Sequence, residues 1–404
     1  MRRSSTTRSG DRAAERGAVS VSWNKVTAFR LERQHLTKRL PRASSTSVPG
    51  DIGGAQAQLL SAAQMSIWAR VRGVKLSDLD AAIWEAKSLT KAWAMRRTMF
   101  LIPSKDLAMF VRGSALRAER EVRWVLGRGV PAPKLEKLVE AVLAALDEPV
   151  TTSALAAKLS SSTGFKIKQK VGGVGWGNRK KVPWVDFGAL ALPAHYLLHL
   201  AGARGVYCSG PNAGSESTFV RADRWIPHWK DMPLLQAERE LVMRYLRAHG
   251  PSTVADFTIW TGMTAGDAKR VWSLAEDDMA DIDVEGWRAS VLSDDLPDLK
   301  DAHLDRPVVR LLPFFDAFLL GHKSHRNIVG PGEHGQVYRP AGWVSPVLLV
   351  DGRAAGVWSH VRKNGTLEVE VRPFADLPPR ISSLVREEAE ELGGFFGCPQ
   401  VRVS

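Results

Sequence analysis

The chain of 404 residues is poor in cysteine: Cys208 and Cys398 stand far apart and neither belongs to a C-x-x-C pair. That excludes a zinc ribbon, an iron–sulfur cluster and a disulfide framework, and it suits a reducing compartment. Long apolar runs are missing too. No stretch approaches the ~18–20 consecutive apolar residues of a membrane span, and the N-terminus lacks the apolar core of a secretory signal. A soluble, cytoplasmic protein with no membrane partner is expected. There is no G-x-x-x-x-G-K-S/T, and GGVGWGN (172–178) has neither the lysine nor the following helix of a phosphate loop, which argues against a nucleotide-hydrolysing motor.

Acidic residues are outnumbered: 56 Lys+Arg face 43 Asp+Glu, a formal net charge of +13. Such an excess points to a polyanionic partner, most often nucleic acid, because neutralising phosphates releases condensed counterions. With 44% hydrophobic and 25% charged residues the bulk of the chain is expected to fold. At roughly 150 residues per domain, its length predicts two to three domains.

Residues 1–20 carry five arginines and almost no bulky apolar group, so they read as a disordered basic tail. Residues 24–36 predict a short helix and 41–50 an exposed loop. In GGAQAQLLSAAQMSIWARVRG, Leu59, Ala63, Ile67 and Val71 recur every four residues, as on one helical face, with Gln56 and Gln58 at its N-terminal end. Ser77 and Asp80 have capping-box spacing for a second helix, TMFLIP reads as a strand, and Ser104 with Asp106 opens another helix. These form a first unit, 21–130.

A second unit, 131–232, starts with a helix from Lys134, stopped by Pro149, and continues with a helix in TTSALAAKLS. GFKIKQKVGGVGWGNRKKVPW then alternates basic and apolar residues around glycines, which predicts a basic hairpin or wing. In a third unit, 233–320, the helix QAERELVMRYLRAH, a helix capped by Ser252, the turn Thr261-Gly262 and a helix capped by Thr264 with Asp267 read as a helix-turn-helix, with wing strands in MADIDVEGWRASVL. Residues 321–404 hold a three-stranded meander turning at Asp351-Gly352 and Asn364-Gly365, and a closing helix 381–392 ended by Gly393. The fold class expected is α+β: tandem winged-helix units with a small C-terminal antiparallel β-sheet.

GGAQAQLLSAAQMSIWARVRG, SLTKAWAMRRTMFLIPSKDLAMF, STVADFTIWTG, LLPFFDAFLLGHKSHR and LLVDGRAAGVW together resemble the tandem winged-helix AlkZ-like DNA glycosylases, in the same order over residues 22–375. The resemblance implies that Gln56 and Gln58 match the family's Gln-x-Gln motif beside the damaged nucleotide. It also implies that Trp68, Arg70, Trp93, Arg96, Thr98, Pro103 and Asp106 match family positions. Arg97 and Phe100 depart from the usual R-G-T-L-H run, and Ser324-His325 from the usual Asp-Arg, which bears on substrate range rather than on fold.

A physical reading stands beside the resemblance. N-glycosidic hydrolysis passes through an oxocarbenium-like sugar and normally needs help for the leaving base. A purine alkylated at N7 or N3 is already cationic and departs neutral, so a water oriented by two amides suffices, although an amide cannot take the proton. The candidate catalytic residues are therefore Gln56 and Gln58. Candidate DNA contacts are Arg70, Arg96, Arg97, Thr98, Lys168, Lys170, Trp176, Arg179, Lys180, Lys181, Lys269, Arg270, His325 and Arg326, with Trp176 the stacking group or wedge. His195 and His199 have zinc-like spacing but no third ligand, so no metal and no cofactor is expected. The expectation is a monofunctional DNA glycosylase acting as a monomer on double-stranded DNA with alkylated bases, in the bacterial nucleoid; the alternative is a non-enzymatic winged-helix regulator.

Overall fold

The computed structural model describes residues 19–114, 116–163, 166–174, 178–186, 190–202 and 206–404. Helices and strands are mixed along the whole chain. Ser22 caps the first helix, Trp23–Arg33, and the strand before it, Val19–Val21, pairs in parallel with Met279–Val284. Val19 and Ser20, counted with the basic tail above, thus belong to a sheet, because the distant strand Met279–Val284 supplies the backbone partners.

Ala55–Gln56, Met99–Pro103 and Leu89–Trp93 form an antiparallel sheet with Met99–Pro103 in the middle. Residues paired directly across strands share a face. Ala55 and Leu101 point into a core shared with residues 308–395, whereas Phe100 and Ala92 point into a second core shared with residues 206–292. The sheet is therefore covered on both faces, and Gln56, opposite Phe100, projects toward the second core. Gly53 (φ 78°) and Gly54 (φ 94°) make the turn into the Gln strand. A Cβ on Gly54 would also lie 2.9 Å from Phe100 Cδ1, so glycine is required for backbone angle and for space.

Three caps fall elsewhere than the spacing suggested. Helix Leu76–Trp84 starts earlier, with Asp78 accepting from the Lys75 amide at 2.9 Å, while Asp80 accepts from Gln64 Nε2 at 2.7 Å. Helix Val254–Thr261 is capped by Thr253, whose Oγ1 accepts from Asp256 N at 3.2 Å; Ser252 is buried and donates to the His249 carbonyl at 3.0 Å. The closing helix runs Pro379–Phe396 and ends on Gly397 in the left-handed region. Gly393 lies inside that helix, and its lack of a side chain is required there because a Cβ would come within 2.4 Å of Val401 Cγ2.

Thr264 accepts from Asp267 N and caps helix Ala265–Ser273, which follows Gly262 (φ 73°); strands Met279–Val284 and Trp287–Leu292 then pair antiparallel. Helices Ala132–Ala145 and Thr152–Thr163 precede the hairpin Lys166–Val174 with Asn178–Asp186. In the C-terminal meander, Asp351 and Gly352, then Asn364 and Gly365, all have positive φ, as two-residue hairpin turns demand. Val309–Leu312 and Gln400–Val403 extend it to five strands. Gln400–Val403 pairs in parallel with Thr366–Pro373, so the sheet is mixed rather than antiparallel; helix Pro379–Phe396 supplies the crossover such a pair needs.

Candidate active site

Gln56 is 6% exposed, and Arg96 Nη2 donates to its Oε1 at 2.9 Å. Arg96 Nη1 donates to the Trp260 carbonyl at 2.5 Å, which ties the Gln strand to helix Val254–Thr261. Gln58 Oε1 accepts from the Met99 amide at 3.4 Å. A guanidinium and a backbone amide can only donate, so these contacts assign both amide oxygens chemically, and each oxygen keeps a second lone pair. Burial lowers the Arg96 guanidinium to about 10, still protonated at neutral pH, and it lies 5.4 Å above the Phe100 ring.

Arg96 (φ 54°) and Arg97 (φ 57°) both occupy the left-handed region. Such angles are strained for a residue with a Cβ, and the glycine that the resemblance leads one to expect at the position of Arg97 would escape that strain. Arg97 is compensated by an ion pair with Glu121 and by the Tyr196 ring 5.8 Å away. Thr98 is half-buried and donates to the Met95 carbonyl at 3.2 Å. Lys91, the one lysine of this sheet, is paired with Leu101 and so projects from the face opposite Gln56.

Behind the Gly53-Gly54 turn lies His249, fully buried between glycines: a Cβ on Gly53 would be 3.1 Å from its Nε2, and one on Gly321 would be 2.3 Å from its Nδ1. His322 Nε2 lies 2.8 Å from the His249 carbonyl and 3.1 Å from Ser252 Oγ. Desolvation holds both imidazoles well below their ordinary pKa, so both stay neutral. Neither histidine nor Trp260 stands out in the sequence: His249 and Trp260 lie on helices like any core residue, and His322 lies in a segment without regular structure.

Several expected DNA contacts are placed otherwise. Arg70 is fully buried and forms a two-pronged pair with Asp316, at 2.8 Å on each arm, because helix Leu60–Trp68 packs against the segment carrying Asp316. It is a core residue, not a DNA contact. His325 stacks on Tyr338 at 3.7 Å with its Nδ1 3.3 Å from His334 Nε2. Burial, then the neighbouring His334, lowers it to about 4; the ring is neutral at pH 7 and offers no charge to a phosphate. Arg270 holds the buried Glu238 at 2.6 and 2.9 Å. Lys269, Arg326 and Lys168 are exposed, Lys168 pairing with Asp186 at 2.8 Å. The side chains of Lys170, Arg179, Lys180 and Lys181 lie outside what the structure describes, as does the whole of Trp176. His199 packs edge-on against Trp93 at 4.3 Å, and among the described residues no three His, Cys, Asp or Glu gather as a metal site.

The chain is a DNA glycosylase, a hydrolase of N-glycosyl bonds. It belongs to the AlkZ-like family: the family model described as DNA glycosylase AlkZ-like matches residues 50–395. The interstrand DNA cross-link repair glycosylase of Streptomyces sahachiroi is 30% identical over 398 residues, which cover 95% of this chain and 99% of that protein. The solved structure of Streptomyces sahachiroi DNA glycosylase AlkZ aligns with a TM-score of 0.75 and 27% identity, over 96% of this chain and 100% of that one. Among the described residues no helix is long and apolar enough to cross a membrane.

Proposed function

We propose that the chain releases cationic N7- or N3-alkylated purines from double-stranded DNA, acting as a monomer, with Gln56 and Gln58 orienting the attacking water. The observation that carries this reading is the pair of amide oxygens, each held by a donor and each left with one lone pair for the water. As the bond from C1′ to the base nitrogen breaks, its electrons neutralise the charged base, and water oxygen closes on the oxocarbenium carbon. The water's proton becomes acidic only once that bond forms, so solvent can take it and no strong base is required. Bulky adducts and interstrand crosslinks fall within the proposal because the Streptomyces relative is named as a cross-link repair glycosylase.

The tandem winged-helix reading belongs to the same proposal. Helices Val254–Thr261 and Ala265–Ser273 with the hairpin after them, and helices Ala132–Ala145 and Thr152–Thr163 with theirs, repeat one arrangement. In this reading the hairpin of Lys166–Val174 with Asn178–Asp186, together with Lys269 and Arg326, lies along the phosphates, and Arg96, Arg97 and Thr98 border the lesion.

A site without acid or base power selects by leaving group. Among three duplexes that differ only in the lesion, N7-methylguanine is expected to be released, while uracil and 1,N6-ethenoadenine persist. Release of uracil at a comparable rate would show that the site supplies more than a held water.

A further inference from the structure

Helix Leu60–Trp68 begins with a residue poorly suited to its place. Its N-cap is Leu59 (φ −107°, ψ 116°), which offers no side-chain acceptor to the first-turn amides. Leucine is among the weakest residues at that position, where Ser, Thr, Asn or Asp would accept a hydrogen bond. Ser22, Thr253 and Thr264 follow the rule at three other helices of this chain. Burial does not account for the choice either. Leu59 is 37% exposed, whereas Gln56 and Ala57 before it are buried and Leu60 after it packs on the core. A large apolar side chain thus stands in solvent, in a cap, directly after Gln58, and local rules tend to be broken where a site requires it.

A second exposed apolar residue stands beside the backbone that anchors Arg96. Ile259 is 49% exposed, and its neighbour Trp260 is the residue whose carbonyl holds Arg96, which in turn holds Gln56. One turn before Ile259 the same helix exposes Ala255, so this face carries no charge. A cation adjoins this helix: Lys323 is exposed, and its amide donates to Asp256 at 2.8 Å. Exposed apolar side chains near the glutamines suit duplex DNA, whose stacked bases lie between anionic backbones.

We propose that Leu59 is a wedge that enters the base stack beside the lesion and keeps the opened nucleotide against Gln56 and Gln58. The proposal rests on the glycosylase reading and makes Leu59 a positioning residue. Apolar side chains inserted at a base step pay for unstacking with contact area, and that cost is smallest where the base has no partner.

Leu59→Asn separates the wedge from a structural role, because asparagine restores the cap. It is expected to raise Tm while lowering single-turnover release of N7-methylguanine from a fully paired duplex ~10–100-fold. With the lesion opposite an abasic gap the same variant should stay within about threefold of wild type, since little stacking remains to be opened. Leu59→Met, apolar and of similar volume, should retain the wild-type rate on both duplexes. Wild-type release by Leu59→Asn on the paired duplex, or an equal loss on both, would overturn the wedge. Wild-type protein that releases the base from neither duplex would overturn the proposed release of alkylated purines with it.

Discussion

Gln56→Ala and Gln58→Ala are each expected to lower single-turnover excision of N7-methylguanine ~10–1000-fold while leaving the Kd for the damaged duplex within about threefold. The split follows from where the amides act. A water held by two oxygens matters when it closes on the sugar, not when DNA docks, so the loss falls on the chemical step. Gln56 is the more constrained of the two, since its oxygen is fixed at 2.9 Å by a buried guanidinium anchored in turn on Trp260. Gln56→Ala leaves the strand's backbone pairing with Phe100 and Leu101 in place, whereas Gln58→Ala also removes the acceptor of the Met99 amide, so Tm is measured beside the rate. Rapid-quench release and equilibrium binding check the two halves separately; wild-type rates in both variants would place the chemistry elsewhere.

The largest effect on stability is expected at the ion pair that replaced a predicted DNA contact. Arg70 donates to the Gln34 carbonyl at 2.9 Å, to Gln34 Oε1 at 3.1 Å, to the Ser66 carbonyl at 2.9 Å and to both oxygens of Asp316 at 2.8 Å. Asp316 also accepts from Ser66 Oγ at 2.9 Å and from the Phe318 amide at 3.0 Å. Both side chains are 0% exposed. Removing one partner strands a buried charge, which costs about 3–5 kcal/mol. Arg70→Ala and Asp316→Ala should therefore each shift the urea midpoint far downward or prevent folding, whereas replacing both by apolar residues of similar volume should cost much less. Urea unfolding of the three variants decides it; single variants as stable as the double would contradict the buried-pair account.

Features written in adjacent residues were legible before the structure. Asp351-Gly352 and Asn364-Gly365 needed only their own positive φ to mark hairpins, and Thr264 with Asp267 marked a helix start. Features decided by distant partners were not. Ser252 resembles a cap, yet the approach of His322 and Tyr245 draws its hydroxyl into the core. Gly393 resembles a helix stop, yet the last strand explains it. At the site, the two glutamines were found through the resemblance, while the link from Gln56 through Arg96 to Trp260 spans 204 positions in the chain and leaves no periodic trace. Arg70 and His325 show the same limit for charge: an arginine or histidine in sequence looks like a phosphate contact until Asp316 or Tyr338 is seen to occupy it.

On the proposed mechanism water attacks directly, without a covalent intermediate. Its most direct measurement uses one duplex with a single N7-methylguanine, incubated with the wild-type protein and divided between alkali and borohydride. Hydrolysis by a water held on Gln56 and Gln58 predicts a strand that alkali cleaves at the lesion and no protein–DNA adduct trapped by borohydride, since Lys91 projects from the far face of the sheet. A trapped adduct would contradict the water mechanism. An uncut strand would contradict the proposed release of alkylated purines itself.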